Sequence, residues 1–391
     1  MLFIPPEIQF IIDTLNKNGF EAYLVGGCVR DMLMDIPPHD YDITTSAPPE
    51  AVISLFDKTV PTGIKHGTVT VINGGTAAEV TTYRADGEYS DHRRPENVTF
   101  VKSLKEDLAR RDFTVNAIAY NKNEGIKDFF GGKEDIKNEI LRAVGAPEKR
   151  FREDALRILR LFRFASVLGF TPEAETLKAA LKCAPLLENI SAERISSELR
   201  RAVNGKNPIA LKPLTDIKGL QFIGIKNPDY SKIVPLQNGG LALFGFLYSS
   251  ADNLISALEF LKPSNKEKKL YLNILTLLSL PFPSNKEEIK EMLFKTDCIS
   301  VEKYLYFQNH YFGTHTENTL DLLREILNNN EPYRLSDLKI GGKNLINIGV
   351  SGEKIGETLE YLRKLVIVNP ELNKKSILIK KAKNLTVTKL V

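Results

Sequence analysis

Two aspartates one residue apart, Asp40 and Asp42, close the stretch "GGCVRDMLMDIPPHDYDI" (residues 26–43). "YDITTS", which begins right after Asp40, has the β-branched composition of a strand, and on such a strand carboxylates at i and i+2 point to one face. Carboxylates that close repel each other unless a cation bridges them. Hard oxygen donors at an open site favour Mg²⁺, which also holds substrate phosphates. Upstream stand Gly26, Gly27, Arg30 and Asp31. Glycines that end a strand at a helix start leave backbone N–H groups free, and helix N-termini carry partial positive charge. Arg30 on the first turn adds a charged fork for a phosphate. A phosphate cradle beside a two-carboxylate metal site is the equipment of nucleotidyl transfer. A bare D-x-D is common in solvated turns; its conjunction with G-G-x-x-R-D carries the reading.

A second constellation is "EDALRILRLFRF" (153–164). At 100° per residue, Arg157, Arg160 and Arg163 occupy an arc of about 120° on one helix, with Ile158, Leu161, Phe162 and Ala165 opposite, toward the core. Asp154 stands at the helix start, one turn before Arg157. The plainest reading is an N-terminal acid paired with Arg157 across i,i+3, plus surface arginines. The sharper one is a base reader. A carboxylate accepts from the exocyclic amino group of adenine or cytosine, which guanine and uracil lack at that edge. A guanidinium donates to the neighbouring ring nitrogen. The wrong base then faces an unmatched polar group, at about 1–3 kcal/mol.

The first motif resembles the signature of the polymerase-β-like nucleotidyltransferase superfamily, in particular the class II tRNA nucleotidyltransferases (CCA-adding enzymes) and the bacterial poly(A) polymerases. The resemblance extends to "ARRDFTVNAIAYN" (109–121), "DFFGGKEDIKNEILRAVG" (128–145), "REDALRILRLFRFASVLGF" (152–170) and "ISAERISSELRRAV" (190–203), roughly half the chain. It implies that Asp40 and Asp42 are catalytic and hold Mg²⁺, and that Gly27 and Arg30 contact the triphosphate, with Arg111 a further contact. Asp154 and Arg157 would read the base, Arg160 and Arg163 would contact the nucleotide, and Asp112 would accept from the ribose 2′-hydroxyl. The implied activity is addition of C, C and A to the 3′ end of tRNA from CTP and ATP, with release of pyrophosphate. The tRNA would be gripped along its acceptor and TΨC arm by shape and phosphate contacts. A homodimer stays open as an assembly. Glu79 reads equally as a third acid at the metal site or as an exposed strand acid, and His66 as structural or substrate-positioning.

These residues need elements to hold them. The chain has 391 residues, more than one compact core accommodates, with 42% hydrophobic and 26% charged residues. Short runs rich in Val, Thr, Ile and Tyr ("EAYLVGG", "YDITTS", "GTVTVI", "AEVTTYR", "FTVNAIAYN") predict an α+β head on a mixed sheet of about five strands. From about Ala146 helix-period segments take over, among them 151–168, 191–203, 286–295 and 352–367. The expected division is a nucleotidyltransferase head (1–145), a neck (146–205), a body (206–300) and a tail (301–391).

Net charge is only +4, but residues 371–391 hold six lysines against one acid, and residues 149–163 hold six basic residues. Such faces can track phosphates. Three scattered cysteines exclude a CxxC zinc site and fit a reducing compartment. No apolar run approaches the roughly 18 residues of a membrane span, and the N-terminal segment reads as an amphipathic helix, so a cytoplasmic location is expected. The rivals are partial addition (A or CC only), poly(A) synthesis, or a non-catalytic RNA-binding protein on the same scaffold. An intact polar loop (85–109), which CC-adding relatives tend to lack, speaks against CC-only addition. The paired acids together with Asp154 and Arg157 speak against simple binding.

Overall fold

The computed structural model describes residues 2–86, 98–249 and 251–388. Its N-terminal sheet is built from β1 (Ala22–Val25), β2 (Tyr41–Thr45), β3 (Thr59–Gly63), β4 (Thr68–Asn73), β5 (Thr76–Thr82), β6 (Ile118–Asn121) and β7 (Gly125–Asp128). Their order is β3-β4-β5-β2-β1-β6-β7. The sheet is mixed: β2 and β5 run parallel, and the other neighbours are antiparallel. Seven strands therefore stand where the composition predicts about five. The two additions are the edge strands "TVPTG" and "GIKD", which carry Pro, Gly and charge instead of an apolar alternation. Edge positions tolerate that composition because only one side is paired.

Helix α1 (Pro6–Lys17) packs on this head through Ile8, Ile11, Ile12 and Leu15, all fully buried. Burial of each such side chain is worth about 1.5–3 kcal/mol. Tyr23 and Val25 of β1 join a second cluster with Tyr83, Leu104, Leu108, Ala119 and Val144. Leu104 and Leu108 belong to the short helix α3 (Leu104–Ala109), which follows α2 (Gly27–Leu33) in the helix numbering used here.

Beyond the head the described residues are helical, apart from a two-residue pairing of Ile140–Leu141 with Thr171–Pro172. The expected helix over 151–168 is broken in two: α4 (Pro147–Glu153) and α5 (Leu156–Leu168). Asp154 lies in the break with extended backbone (φ −138°, ψ 103°), and its Oδ1 accepts from Leu156 N at 3.1 Å. A short carboxylate bonding its own downstream backbone starts a new helix and competes with continuing the old one. The arginine arc is also corrected. Arg157 and Arg163 are each only 8% exposed, so they are not surface arginines.

α6 (Ala192–Val203) packs on α5. Later helices used below are α7 (Lys286–Lys295), α8 (Lys354–Val368) and α9 (Lys375–Thr388). The chain divides into two compact units, residues 1–234 with 246–262, and residues 235–245 with 263–391. None of its described helices is long and apolar enough to cross a membrane. Residues 87–97, the middle of the polar loop, lie outside the described residues, as does Lys389.

Candidate active site

β1 ends at Gly26, whose φ of +81° and ψ of −135° only glycine adopts readily. A Cβ here would also meet Arg111 Nη1 at 2.9 Å and Asp42 Oδ2 at 3.7 Å. The glycine thus lets the backbone pass against a cation from one segment and an acid from another. The next residue, Gly27, opens α2. Arg30 is folded back and buried on that helix: Nε and Nη2 donate to Asp31 Oδ1 at 2.9 and 2.6 Å, and Nη1 to Asn116 Oδ1 at 2.7 Å.

Asp42 is carried by β2, with Asp40 just before the strand begins. In the parallel pairing Asp42 stands in register with Glu79 of β5, which puts Glu79 on the same face. Burial pushes the Asp42 carboxyl above the usual carboxylate range, the negative charges of Glu79 and Asp40 add to that, and the Arg111 guanidinium opposes it. His66 lies in a short 3₁₀ turn, and its main-chain carbonyl accepts from Arg84.

"RRDFT" supplies the opposite wall. Asp112 Oδ1 accepts from Phe113 N (2.8 Å) and Asn116 Nδ2 (3.2 Å), and Oδ2 from Arg160 Nε (2.7 Å) and Nη2 (2.6 Å). Burial would raise this carboxyl, but the charge and hydrogen bonds of Arg160 and the Asn116 bond outweigh it and hold it at about 2. Arg163 pairs with Glu198 of α6. Three guanidiniums share the ring of Phe164: Arg163 at 3.8 Å from its centroid, Arg30 and Arg160 each at 5.3 Å. Cations over an aromatic face are favourable, so one buried phenylalanine gathers three arginines implied as nucleotide contacts.

The expected i,i+3 pair of Asp154 with Arg157 does not form. Asp154 Oδ2 instead accepts from Arg194 Nη2 of α6 at 2.8 Å. Arg157 Nη1 donates to Glu153 Oε2 (2.9 Å) and to the Arg150 carbonyl (3.1 Å), and Nη2 to the Arg110 carbonyl (3.0 Å). The break at 154 leaves one carboxylate oxygen on the start of α5 and the other on Arg194 of α6. Sequence reasoning did not single out Glu153, Arg194, Glu198, Asn116 or Phe164. All five sit inside the quoted motifs, but only the fold pairs them with the named residues.

A family model described as "Poly A polymerase head domain" matches residues 22–142. Another, described as "Probable RNA and SrmB- binding site of polymerase A", matches residues 169–218. The chain is 38% identical over 404 residues to a CCA-adding enzyme of Ligilactobacillus salivarius (strain UCC118), covering 98% of both proteins. It is 37% identical to that of Staphylococcus haemolyticus (strain JCSC1435), over 95% of each. The crystal structure of the Bacillus stearothermophilus CCA-adding enzyme in complex with CTP matches with a TM-score of 0.79 at 34% identity, over 99% of both chains. The chain belongs to the CCA-adding enzyme family. A Thermotoga maritima CCA-adding enzyme complexed with "tRNA_CCA", 20% identical, shares the fold with a TM-score of 0.66 over 97% of this chain and 95% of that one.

Membership of the CCA-adding enzyme family makes the chain a nucleotidyltransferase and raises the question of a divalent metal. The donor chemistry fits one. Asp42 is destabilised as an anion by burial and by two further carboxylates, which a cation held by Asp40 and Asp42 would relieve. Among the described residues no group of three or more His, Cys, Asp or Glu side chains is assembled for a metal ion. A two-carboxylate site suits Mg²⁺, which keeps several waters and takes its remaining ligands from substrate phosphates.

Proposed function

We propose that this chain adds C, C and A to the 3′ end of tRNA from CTP and ATP, releasing pyrophosphate at each step. The observation that carries the reading is its 38% identity to a CCA-adding enzyme over 98% of both proteins. In this reading residues 1–145 form the catalytic head and 146–205 the nucleotide-selecting neck. Residues 206–300 and 301–391 form the body and tail that grip the acceptor and TΨC arm.

Asp40 and Asp42 would hold Mg²⁺. When bound, that ion lowers the pKa of the attacking 3′-hydroxyl and offsets charge on the leaving pyrophosphate. Gly27, Arg30, Arg111, Arg160 and Arg163 bind the nucleotide's phosphates and sugar. Asp31, Asn116, Asp112, Glu198 and Phe164 already hold Arg30, Arg160 and Arg163 in place, so little ordering of these three remains to be done on binding. Asp154, steadied by Arg194, accepts from the exocyclic amine of C or A, and Arg157, seated on Glu153, donates to the ring nitrogen. Asp112 already takes two donors on each oxygen. A ribose hydroxyl must therefore share an oxygen with one of these donors or displace it, and Asp112 also anchors Arg160.

The test uses three tRNAs, ending in the discriminator base, in C and in CC, each incubated with one NTP at a time. C addition to the first two and A addition to the third are expected. A on CC alone means an A-adding enzyme, C on the first two alone a CC-adding one, and long A tails poly(A) synthesis. Each of these outcomes overturns the full CCA reading.

A further inference from the structure

Asp107, near the end of α3, is a completely buried carboxylate to which no role has been assigned so far. Its Oδ1 accepts from Arg110 Nε (3.1 Å), Arg110 Nη2 (2.9 Å) and the Arg84 amide (3.3 Å). Its Oδ2 accepts from the Thr44 hydroxyl (3.1 Å) and lies 3.7 Å from Arg111 Nη2. A buried anion with this many donors is stable only as a carboxylate, since losing the charge would strand two guanidiniums. Burial alone would raise Asp107, but the Arg110 and Arg111 charges and the hydrogen bonds hold it below the ordinary carboxylate range.

Three of the four partners of Asp107 lead to parts of the active site. Thr44 sits two residues after Asp42 on β2, so its hydroxyl ties Asp107 to the strand that bears the acids. Arg111 stands beside Asp42 across Gly26. Its Nη2 lies 3.7 Å from Asp107 Oδ2, and its Nε is buried with no hydrogen-bond acceptor among the described residues. Arg110 offers its carbonyl to Arg157 Nη2, the base-reading guanidinium. We propose that Asp107 is a positioning residue that sets Arg111 against Asp42 and the Arg110 carbonyl under Arg157, joining the metal-binding acids to nucleotide binding. The proposal rests on the functional reading above, because it assigns Arg111 and Arg157 to the nucleotide.

The experiment pairs steady-state kinetics on tRNA ending in CC with equilibrium titration of CTP and ATP in the absence of RNA. Asp107→Asn preserves shape and removes the charge. A positioning role predicts that KM and Kd for both nucleotides rise about tenfold or more while kcat falls less than threefold. In a cycle with Arg111→Ala, Asp107→Asn should add less than its own factor, because the group it positions is gone. A purely structural role predicts a lower Tm with KM and Kd within twofold of wild type, and that result overturns the proposal. Should Asp107→Asn fail to fold, Thr44→Val removes only the hydroxyl donor to Oδ2. It should weaken both nucleotides two- to threefold, and unchanged Kd values there refute the proposal equally. Wild-type protein that binds CTP yet adds neither C nor A would sink the functional reading, while the Kd comparison would still decide the role of Asp107.

Discussion

Both compact units bury cations, and they treat them differently. In the second unit Arg363 of α8 is 1% exposed and saturated. Its Nη2 reaches both oxygens of Glu291 at 2.9 Å, Nε donates to Glu360 Oε2 at 2.7 Å, Nη1 to the Tyr333 carbonyl at 3.4 Å, and the group lies 3.7 Å over Phe294. Lys290 of α7 pairs with Glu331 at 2.8 Å and donates to the Ile367 carbonyl at 3.2 Å. In the first unit Arg111 has, among the described residues, no acceptor for its buried Nε, and its Nη2 lies 3.7 Å from Asp107. Arg30, Arg160 and Arg163 crowd one ring. A buried donor left without an acceptor costs about 1–3 kcal/mol, so a fold keeps one where something else will complete it. At Arg363 and Lys290 the filled shell serves the fold, whereas at Arg111 an open donor beside Asp42 leaves a place for substrate.

The comparison breaks most sharply at Asp42. Asp42→Ala should lower incorporation by about a thousandfold or more, because it removes a metal ligand and the partner that faces Arg111. tRNA affinity should stay within a few-fold. Single-nucleotide incorporation by the variant in Mg²⁺ at near wild-type rate would end the metal assignment.

At the saturated centre the same kind of change should act on stability alone. Glu331→Ala strands the Lys290 ammonium, and breaking a buried pair in this way costs about 3–5 kcal/mol. Denaturant unfolding should show that loss while kcat/KM of the folded fraction stays within twofold. The pH dependence has a definite sign. Burial would raise Glu331, but hydrogen bonds from Lys286 and Lys290 hold it below its ordinary value. A depressed carboxylate stabilises the fold above its unfolded value, about 4.3, and that contribution fades as pH falls through the folded value. The gap between wild type and variant should therefore close in acid. A gap that widened below pH 4 would show that Glu331 is not the stabilising anion.

How far the sequence reveals this contrast depends on range. Asp40, Asp42, Arg30 and Arg157 stand out as candidates because the pattern that singles them out lies in spacings of a few residues. The β-rich core strands were legible for the same reason. The strands "TVPTG" and "GIKD" were not, because their pairing comes from neighbours distant in the chain. Asp154 with Arg194 spans 40 residues, and Arg30 with Asn116 spans 86. No local periodicity encodes either. The lysine-rich end shows the converse. Residues 375–388 form α9, and Leu378 and Ala382 are fully buried in a cluster with Leu345, Leu362 and Val366. The lysine count drew attention away from those two apolar positions.

A smaller effect sharpens the base-reading half of the site. Asp154→Ala should lose discrimination against UTP and GTP more than it loses catalysis, since the carboxylate penalises a carbonyl at that edge. The penalty of about 1–3 kcal/mol corresponds to a five- to 150-fold change in relative kcat/KM. Measuring all four NTPs on tRNA ending in CC decides it. An Asp154→Ala enzyme as strict as wild type would mean the bases are read elsewhere.

The smallest expected effect concerns α9, where charge and packing lie on one helix. Deleting residues 371–391 cannot separate them, because it removes Leu378 and Ala382 from the second unit's core. Substitution can. Lys375, Lys380 and Lys381 are exposed, so changing all three to Gln leaves the buried face intact. Each lysine that neutralises a phosphate releases about 0.7–0.9 of a counterion, which sets the slope of log K against log salt. If α9 tracks the tRNA backbone, the triple variant should bind more weakly at low salt and show a slope shallower by up to about 2–3. The CTP-to-ATP preference should not change, because phosphate contacts position RNA without reading bases. Filter binding across a salt series, with single-nucleotide kinetics on the same preparations, makes both measurements. An unchanged slope would make these lysines a solvated face. A shifted nucleotide preference would bring α9 into base selection and erase the contrast between the two units.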